Sequence, residues 1–319
     1  MLRVAADWWV YSVLRLPHDT LRAEALSFFI YDSLKILILL FVMIAGIGFL
    51  RTFLPHERIK GWLEKKTGWG NFLAALFGAV TPFCSCSSIP IFLGFIKAGI
   101  PLGITFSFLI TSPLINEYLV VVMLGFFGWK ITAVYILSGM FLGTVCGILL
   151  GKMKLEAHLV NDIRPADGPV EAYPNSTGFG SRIAFGIGEA VSVIKKLWLW
   201  ILIGVGIGAV IHNYVPETTI QNLISKTGVF SVPLATLLGV PMYGSCAAIV
   251  PIAVVLFQKG VPLGTALAFM MAVSALSLPE AVMLRRAMKL PLIMIFFGIT
   301  TAGIILTGYL INALQPFLT

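Results

Sequence analysis

From Ser27 to Leu314 the chain is a succession of apolar stretches, each about as long as one membrane crossing or two half-crossings, with few charges between them. A helix needs about 20 apolar residues to cross the hydrocarbon core of a bilayer, since each residue adds only about 1.5 Å. Four stretches read as plain crossings: Ser27 to Leu54, Trp129 to Leu150, Ser192 to Tyr214 and Leu290 to Leu314. Four others, Asn71 to Gly99, Pro101 to Phe127, Val229 to Gly260 and Pro262 to Leu284, each carry a proline or polar break near the middle. A soluble domain needs about a quarter of its residues charged, whereas this chain of 319 residues has 11% charged, 58% hydrophobic and a mean hydropathy of +0.97. The expected fold class is an all-α integral membrane protein.

The net charge of +8 does not point to nucleic acid. Its basic residues are scattered between apolar stretches, where they act as topology signals, and the lipid bilayer is the expected partner. Cys84, Cys86, Cys146 and Cys246 all fall in apolar segments, so free thiols are expected rather than a secreted disulfide framework. Residues Val4 to Leu16 are interrupted by Asp7 and lack the pattern of a cleavable signal, while Trp8, Trp9, Tyr11 and Arg15 suggest an interfacial segment over 1–26.

The two halves match in order at a nearly constant offset of about 160 residues. Gly46-Ile47-Gly48 recurs as Gly206-Ile207-Gly208, Lys66-Thr67-Gly68 as Lys226-Thr227-Gly228, and Gly99-Ile100-Pro101-Leu102-Gly103 as Gly260-Val261-Pro262-Leu263-Gly264. Pro55 answers Pro216, and Cys86 answers Cys246. Duplication follows, with one repeat over 27–151, a second over 191–319 and a polar, turn-rich cytoplasmic linker over 152–190. If Asn71 to Gly99 and Val229 to Gly260 enter and return on one side, each repeat has three crossings and the repeats are inverted. That arrangement leaves only Arg3, Arg15, Arg22, Lys35, Lys130, Lys226 and Lys259 of the 22 basic residues outside, which satisfies the positive-inside rule. We therefore expect two inverted-topology repeats, each with three transmembrane helices plus one re-entrant broken-helix hairpin, and both chain ends outside.

The first hairpin tip reads Thr81-Pro82-Phe83-Cys84-Ser85-Cys86-Ser87-Ser88-Ile89-Pro90, and the second Pro241-Met242-Tyr243-Gly244-Ser245-Cys246-Ala247-Ala248-Ile249-Val250-Pro251. Proline stops the hydrogen-bond ladder, and backbone freed at membrane depth is tolerated only where protein or a watered cavity surrounds it. Each tip is thus expected to line a site. Cys84 and Cys86 converge only if the turn is unwound, and Cys246 opposite them makes up to three sulfur ligands for a soft ion. Packing as small hydrophobes is the competing reading of such thiols, and the one favoured for Cys146.

Glu117 and Glu280 lie deep in apolar sequence at near-equivalent positions of the two halves. A carboxylate in lipid costs a few kcal/mol, so each should face the interior, bind a proton or hold a cation, with Asn116 beside Glu117 as a further oxygen donor. Simple pairing of Glu280 with Arg285 or Arg286 is the plainer alternative. His18, His56, His158 and His212 fall in loops or at span ends, which gives no histidine metal site, and no nucleotide-binding loop is visible.

At Thr81 to Pro90, Gly99 to Gly103 and Thr111-Ser112-Pro113 the chain resembles the ArsP-type predicted permease family, over roughly residues 30 to 314. The resemblance implies a cytoplasmic-membrane permease, with members linked to efflux of trivalent organoarsenicals and to heavy-metal resistance. It carries the family's thiols onto Cys84, Cys86 and Cys246. The second tip has no second thiol, which excludes a symmetric four-sulfur site.

The sequence therefore leads to a proton-coupled secondary transporter, not an enzyme, that exports a thiophilic small molecule or soft metal ion. Its substrate would sit at Cys84, Ser85, Cys86, Ser87, Ser245 and Cys246, and its coupling would run through Glu117, Glu280 and Asn116. No cofactor is expected, and a homo-oligomer is left open. A membrane thiol-disulfide oxidoreductase using Cys84 and Cys86, or a passive channel for a small solute, are the alternatives.

Overall fold

The computed structural model describes residues 7–13, 17, 21–51, 69–81, 85–97, 99–160, 179–214, 228–242, 246–258, 260–285 and 287–318. Almost all of them are helical. After one π-helical stretch, Trp8–Val13, come α1 (Leu21–Arg51), α2 (Trp69–Val80), α3 (Ser85–Lys97), α4 (Leu102–Leu114), α5 (Glu117–Lys152) and α6 (Phe179–Tyr214). The second half continues with α7 (Ser231–Gly239), α8 (Cys246–Gln258), α9 (Leu263–Ala275), α10 (Leu278–Leu284) and α11 (Leu290–Leu318). Among the described residues, Leu119–Lys152, Leu263–Leu284 and Leu290–Leu318 are long and apolar enough to cross a membrane. The chain is a multi-pass, all-α membrane protein.

The order of elements repeats: a long helix, two short ones, a third short one ending in a break, and a continuation into a second long helix. In the first half the break falls at Ile115-Asn116, after Pro113 in the last turn of α4. In the second it falls at Leu276-Ser277, and Pro279 sits in the first turn of α10, where its missing N–H leaves no gap. Within α5 Gly128 has φ +76°, so residues 117–127 and 129–152 are two segments rather than one straight rod. Expected crossing limits shift at two places. Helix α1 begins at Leu21, not Ser27, and α6 begins at Phe179, inside the stretch expected as linker.

The motif Gly-x-Pro-Leu-Gly acquires a physical meaning. Gly99 and Gly260 both have positive φ and close the preceding helix: Gly99 N–H donates to Ile96 O at 2.9 Å and Ile100 N–H to Phe95 O at 3.0 Å, with the same pattern at Gly260 and Val261. Proline then starts the next helix. The final glycine allows backbone-to-backbone approach, since a Cβ on Gly103 would lie 2.7 Å from Gly147 O and 2.8 Å from Gly151 Cα.

Packing gives the helices their directions. Gly103 meets Gly147 and Gly151, Thr111 meets Gly143, and Ile115 meets Gly139, so α4 runs antiparallel to the second part of α5. Gly264 and Gly308 repeat this between α9 and α11. Asn71 donates to Ser107 at 2.9 Å while Gly78 lies against Phe108 and Ser112, so α2 runs alongside α4 in the same direction. Helices α1 and α6 are antiparallel, with Gly186 against Ala45 and Phe49 at one end and Gly206 against the Phe29 ring at the other.

Every residue of α4 and of α9 is buried. These two broken helices form the centre, where Phe106 of α4 stacks on Phe296 of α11 at 5.3 Å. Large apolar side chains such as Phe141, Leu149, Leu306 and Leu310 point outward and supply the surface expected against lipid. At one end of the bundle Leu159 forms an antiparallel bridge with Met288, flanked by Val160 N–H to Ala287 O at 3.1 Å and Lys289 N–H to His158 O at 2.9 Å. This ties the end of α5 to the turn before α11.

Candidate functional site

Helix α3 begins at Ser85 with Cys86 as its second residue, and α8 begins at Cys246. Each of these two short helices therefore starts on the thiol motif singled out in the sequence. Cys84 and Ser245 lie outside the described residues, as do the side chains of Ser85, Cys86, Ser87, Cys246 and Glu117. The first described side chain of this turn is Ser88. It is fully buried, and its Oγ lies 2.9 Å from Ser112 Oγ in a hydrogen bond that ties α3 to α4 three residues before the break. Ser88 and Ser112 belong to two sequence motifs, Thr81 to Pro90 and Thr111-Ser112-Pro113, and this hydrogen bond joins them.

The break itself is held by side chains from neighbouring helices. Tyr135, completely buried in α5, donates its hydroxyl to Leu114 O at 2.9 Å and so satisfies a carbonyl that the ended helix leaves over. Asn116 sits in the break, and its own carbonyl accepts Val120 N–H at 2.9 Å at the start of α5. Tyr135 was missed in the sequence because a tyrosine within an apolar crossing carries no periodic signal of its partner.

Glu280 is 0% exposed and is the third residue of α10. Helix α10 packs against α6 and α3, which brings the Glu280 helix to the helix that carries Cys86. In the other half α5 packs against α8, with Phe127 and Phe257 rings 6.0 Å apart. Since α5 begins at Glu117 and α10 at Leu278, the two carboxylates stand two positions apart in helix register. Arg285 is exposed beyond the end of α10. Cys146 is a buried free thiol whose Sγ lies 3.9 Å from Ile299 O. Among the described residues no group of three or more His, Cys, Asp or Glu could hold a metal ion.

One buried carboxylate escaped the sequence reading. Asp32 is 8% exposed and Ser33 is 5% exposed, both well inside α1. The missed signal was positional, because a crossing drawn from Ser27 put Asp32 near its edge, whereas the helix starts at Leu21.

A family model described as a predicted permease matches residues 22–313. The chain belongs to this ArsP-type predicted permease family. Its relatives are distant. The UPF0718 protein YcgR of Bacillus subtilis is 28% identical over 210 residues, covering 62% of this permease and 69% of YcgR. A Streptococcus mutans protein, whose name proposes a subunit of a two-component membrane permease complex, is 23% identical over 65% of this permease and 68% of its own length. The UPF0718 protein MJ0584 of Methanocaldococcus jannaschii is 20% identical over 75% of this permease and 80% of its own length. No solved structure matches the permease.

Proposed function

We propose that this permease exports a thiophilic small molecule or soft metal ion across the cytoplasmic membrane in exchange for protons. Its substrate site lies where the starts of α3 and α8 meet the two helix breaks. The observation that supports it is the buried Ser88–Ser112 hydrogen bond, which ties the first turn of α3 to α4 three residues before its break. Broken helices wholly sheathed by protein are the usual place for a substrate at membrane depth, and thiolates select soft ions. Cys84, Cys86 and Cys246 are the proposed ligands, Ser85, Ser87 and Ser245 their polar surround, and Glu117, Glu280 and Asn116 the coupling groups.

Inverted repeats fit this reading. Helices α1 and α6, which correspond in the duplication, run antiparallel to each other, as inversion requires of equivalent elements. So do the second part of α5 and α11, where Leu142 meets Gly303 and Cys146 meets Ile299. Helices α2 and α3, of 12 and 13 residues, reach only about 18–20 Å each, which suits a re-entrant pair and not two crossings. The name of the Streptococcus relative supports looking for a second subunit.

The test is uptake of arsenite, methylarsenite, Cu(I) and Zn(II) into everted vesicles with and without a proton gradient, for wild type and for Cys84→Ser, Cys86→Ser and Cys246→Ser. Gradient-dependent uptake that the serine variants lose supports the proposal. Uptake indifferent to the gradient points to a channel, and uptake untouched by all three substitutions removes the thiols from the site.

A further inference from the structure

Two of the described crossings, Leu119–Lys152 and Leu290–Leu318, come to an end at one place, on either side of the bridge between Leu159 and Met288. We propose that the basic groups gathered there hold the headgroup of an anionic phospholipid, with its acyl chains against the apolar outer surface of α5 and α11. The site stands apart from the thiol turn and uses none of the proposed coupling groups.

A crossing ends at headgroup level, so charge carried there meets phosphate and not hydrocarbon. Segments 152–160 and 285–294 together contain five basic residues, Lys152, Lys154, Arg285, Arg286 and Lys289, against the single acid Glu156. Lys152, Lys154, Arg285 and Lys289 are all exposed. The bridge joins these two distant segments, and Lys289 shows how closely: its Nζ donates to Ala157 O at 3.5 Å, three residues along the chain from Lys154. Lys154 itself has φ +50°, alone among the described non-glycine residues in taking a positive value. Such a backbone favours glycine or asparagine, yet a lysine stands there.

Beside the charges lies an apolar surface. Leu142 against Gly303 and Cys146 against Ile299 set α5 and α11 side by side and antiparallel. Continued toward the bridge, that register brings Leu149 and Met153 level with Met294 and Leu290, which are 47%, 48%, 65% and 52% exposed respectively. Basic groups next to exposed apolar ones suit a molecule that is anionic at one end and apolar at the other. Free phosphate would use only the first of these, and a zwitterionic headgroup would bring its own positive charge up to the lysines.

The fold does not require these charges. Helix Ser85–Lys97 answers Cys246–Gln258 and Leu102–Leu114 answers Leu263–Ala275, both at an offset of 161 residues. At that offset Lys152 and Lys154 answer Ala313 and Gln315, while Arg285 and Lys289 answer Leu124 and Gly128. The opposite end is thus assembled with uncharged residues at all four positions, and there Gln315 Oε1 accepts the Leu263 N–H. Insertion topology asks for positive charge on one side of the membrane but not for its concentration around one bridge.

Thermal unfolding of the delipidated permease in detergent, read by tryptophan fluorescence as lipid is added back, tests the site without any cargo. Phosphatidylglycerol should raise the melting temperature, whereas phosphatidylcholine and inorganic phosphate should not. Combining Lys152→Gln, Lys154→Gln and Lys289→Gln should raise the phosphatidylglycerol concentration needed for half the effect roughly ten-fold. Lys154→Gln alone should raise it by less, and carries the test if the triple variant does not fold. Lys130→Gln, exposed at the other end of the same helix segment, should respond as wild type. Equal stabilisation by phosphatidylcholine, or wild-type response in the lysine variants, overturns the inference and leaves these residues as topology signals. Stabilisation by inorganic phosphate equal to that by phosphatidylglycerol overturns it in favour of a free-anion site.

Discussion

The two halves build one contact from different residues. In the first, α4 crosses α5 with Gly103 on Gly147 and Gly151, and a side-chain pair, Asn71 to Ser107, locks α2 onto the same face. In the second, Ala268 stands where the first half has Ser107, and the side-chain pair shifts about one turn toward the start of the helix, with Ser231 Oγ of α7 lying 3.0 Å from Thr265 Oγ1 of α9 and further polar groups gathered at that helix start. There Asn312 Oδ1 accepts Gly264 N–H at 2.7 Å and Gln315 Oε1 accepts Leu263 N–H at 2.9 Å. Both halves keep the close backbone approach, while the hydrogen bonds around it fall on different residues. Steric fit at the crossing is therefore the stricter requirement.

The largest expected effect comes from adding a single carbon at that crossing. A Cβ on Gly264 would lie 2.0 Å from Gly308 O, a backbone atom that cannot rotate away, so Gly264→Ala should cost about 3 kcal/mol. Gly103→Ala, at 2.7 Å from Gly147 O, should cost nearer to about 2 kcal/mol. Thermal unfolding in detergent by tryptophan fluorescence ranks the two, and equal losses would remove the asymmetry claimed here.

Smaller effects belong to the hydrogen bonds around the crossing. Asn312→Ala leaves the Gly264 N–H without its acceptor and should cost about 2 kcal/mol, whereas Ser107→Ala removes an interhelical pair worth about 0.6 kcal/mol. Hydrogen exchange at the two helix starts separates these, with faster exchange expected at Leu263 and Gly264 only. Between those two substitutions lies Gly128, where the left-handed backbone but open space predicts about 1 kcal/mol for Gly128→Ala, read as a modest drop in melting temperature, which leaves Ser107→Ala the smallest effect.

Much of the architecture was legible because membrane helices announce themselves by length. Gly99 and Gly260 ended apolar stretches, and the structure places a turn at each after α3 and α8, whereas Pro90 and Pro251, expected to bracket the two tips, lie inside α3 and α8, whose helices run on past them. Less legible were helix ends lying beyond the apolar run. Gly180, Ser181 and Arg182 read as linker, yet α6 already runs there and packs Gly186 onto α1 a turn later. Hydropathy reports where lipid ends, whereas helices stop where their packing does. Candidate-site residues were legible by type but not by partner: Ser88 and Ser112 are both ordinary serines until the fold sets them 2.9 Å apart.

The complete burial of α4 also bears on how the permease is made. A ribosome releases α4 long before α11 exists, so Phe106 must wait for Phe296, and Cys146 for an Ile299 carbonyl 153 residues further on. During that wait two polar side chains of α4 have local partners within reach: Thr105 donates to Pro101 O at 3.1 Å and Ser107 to Gly103 O at 3.3 Å, bonds that need no other helix. An unfinished first half is thereby able to sit in the bilayer with these hydroxyls satisfied. Its bare flanks are a surface for the insertion machinery to shelter until the second half arrives.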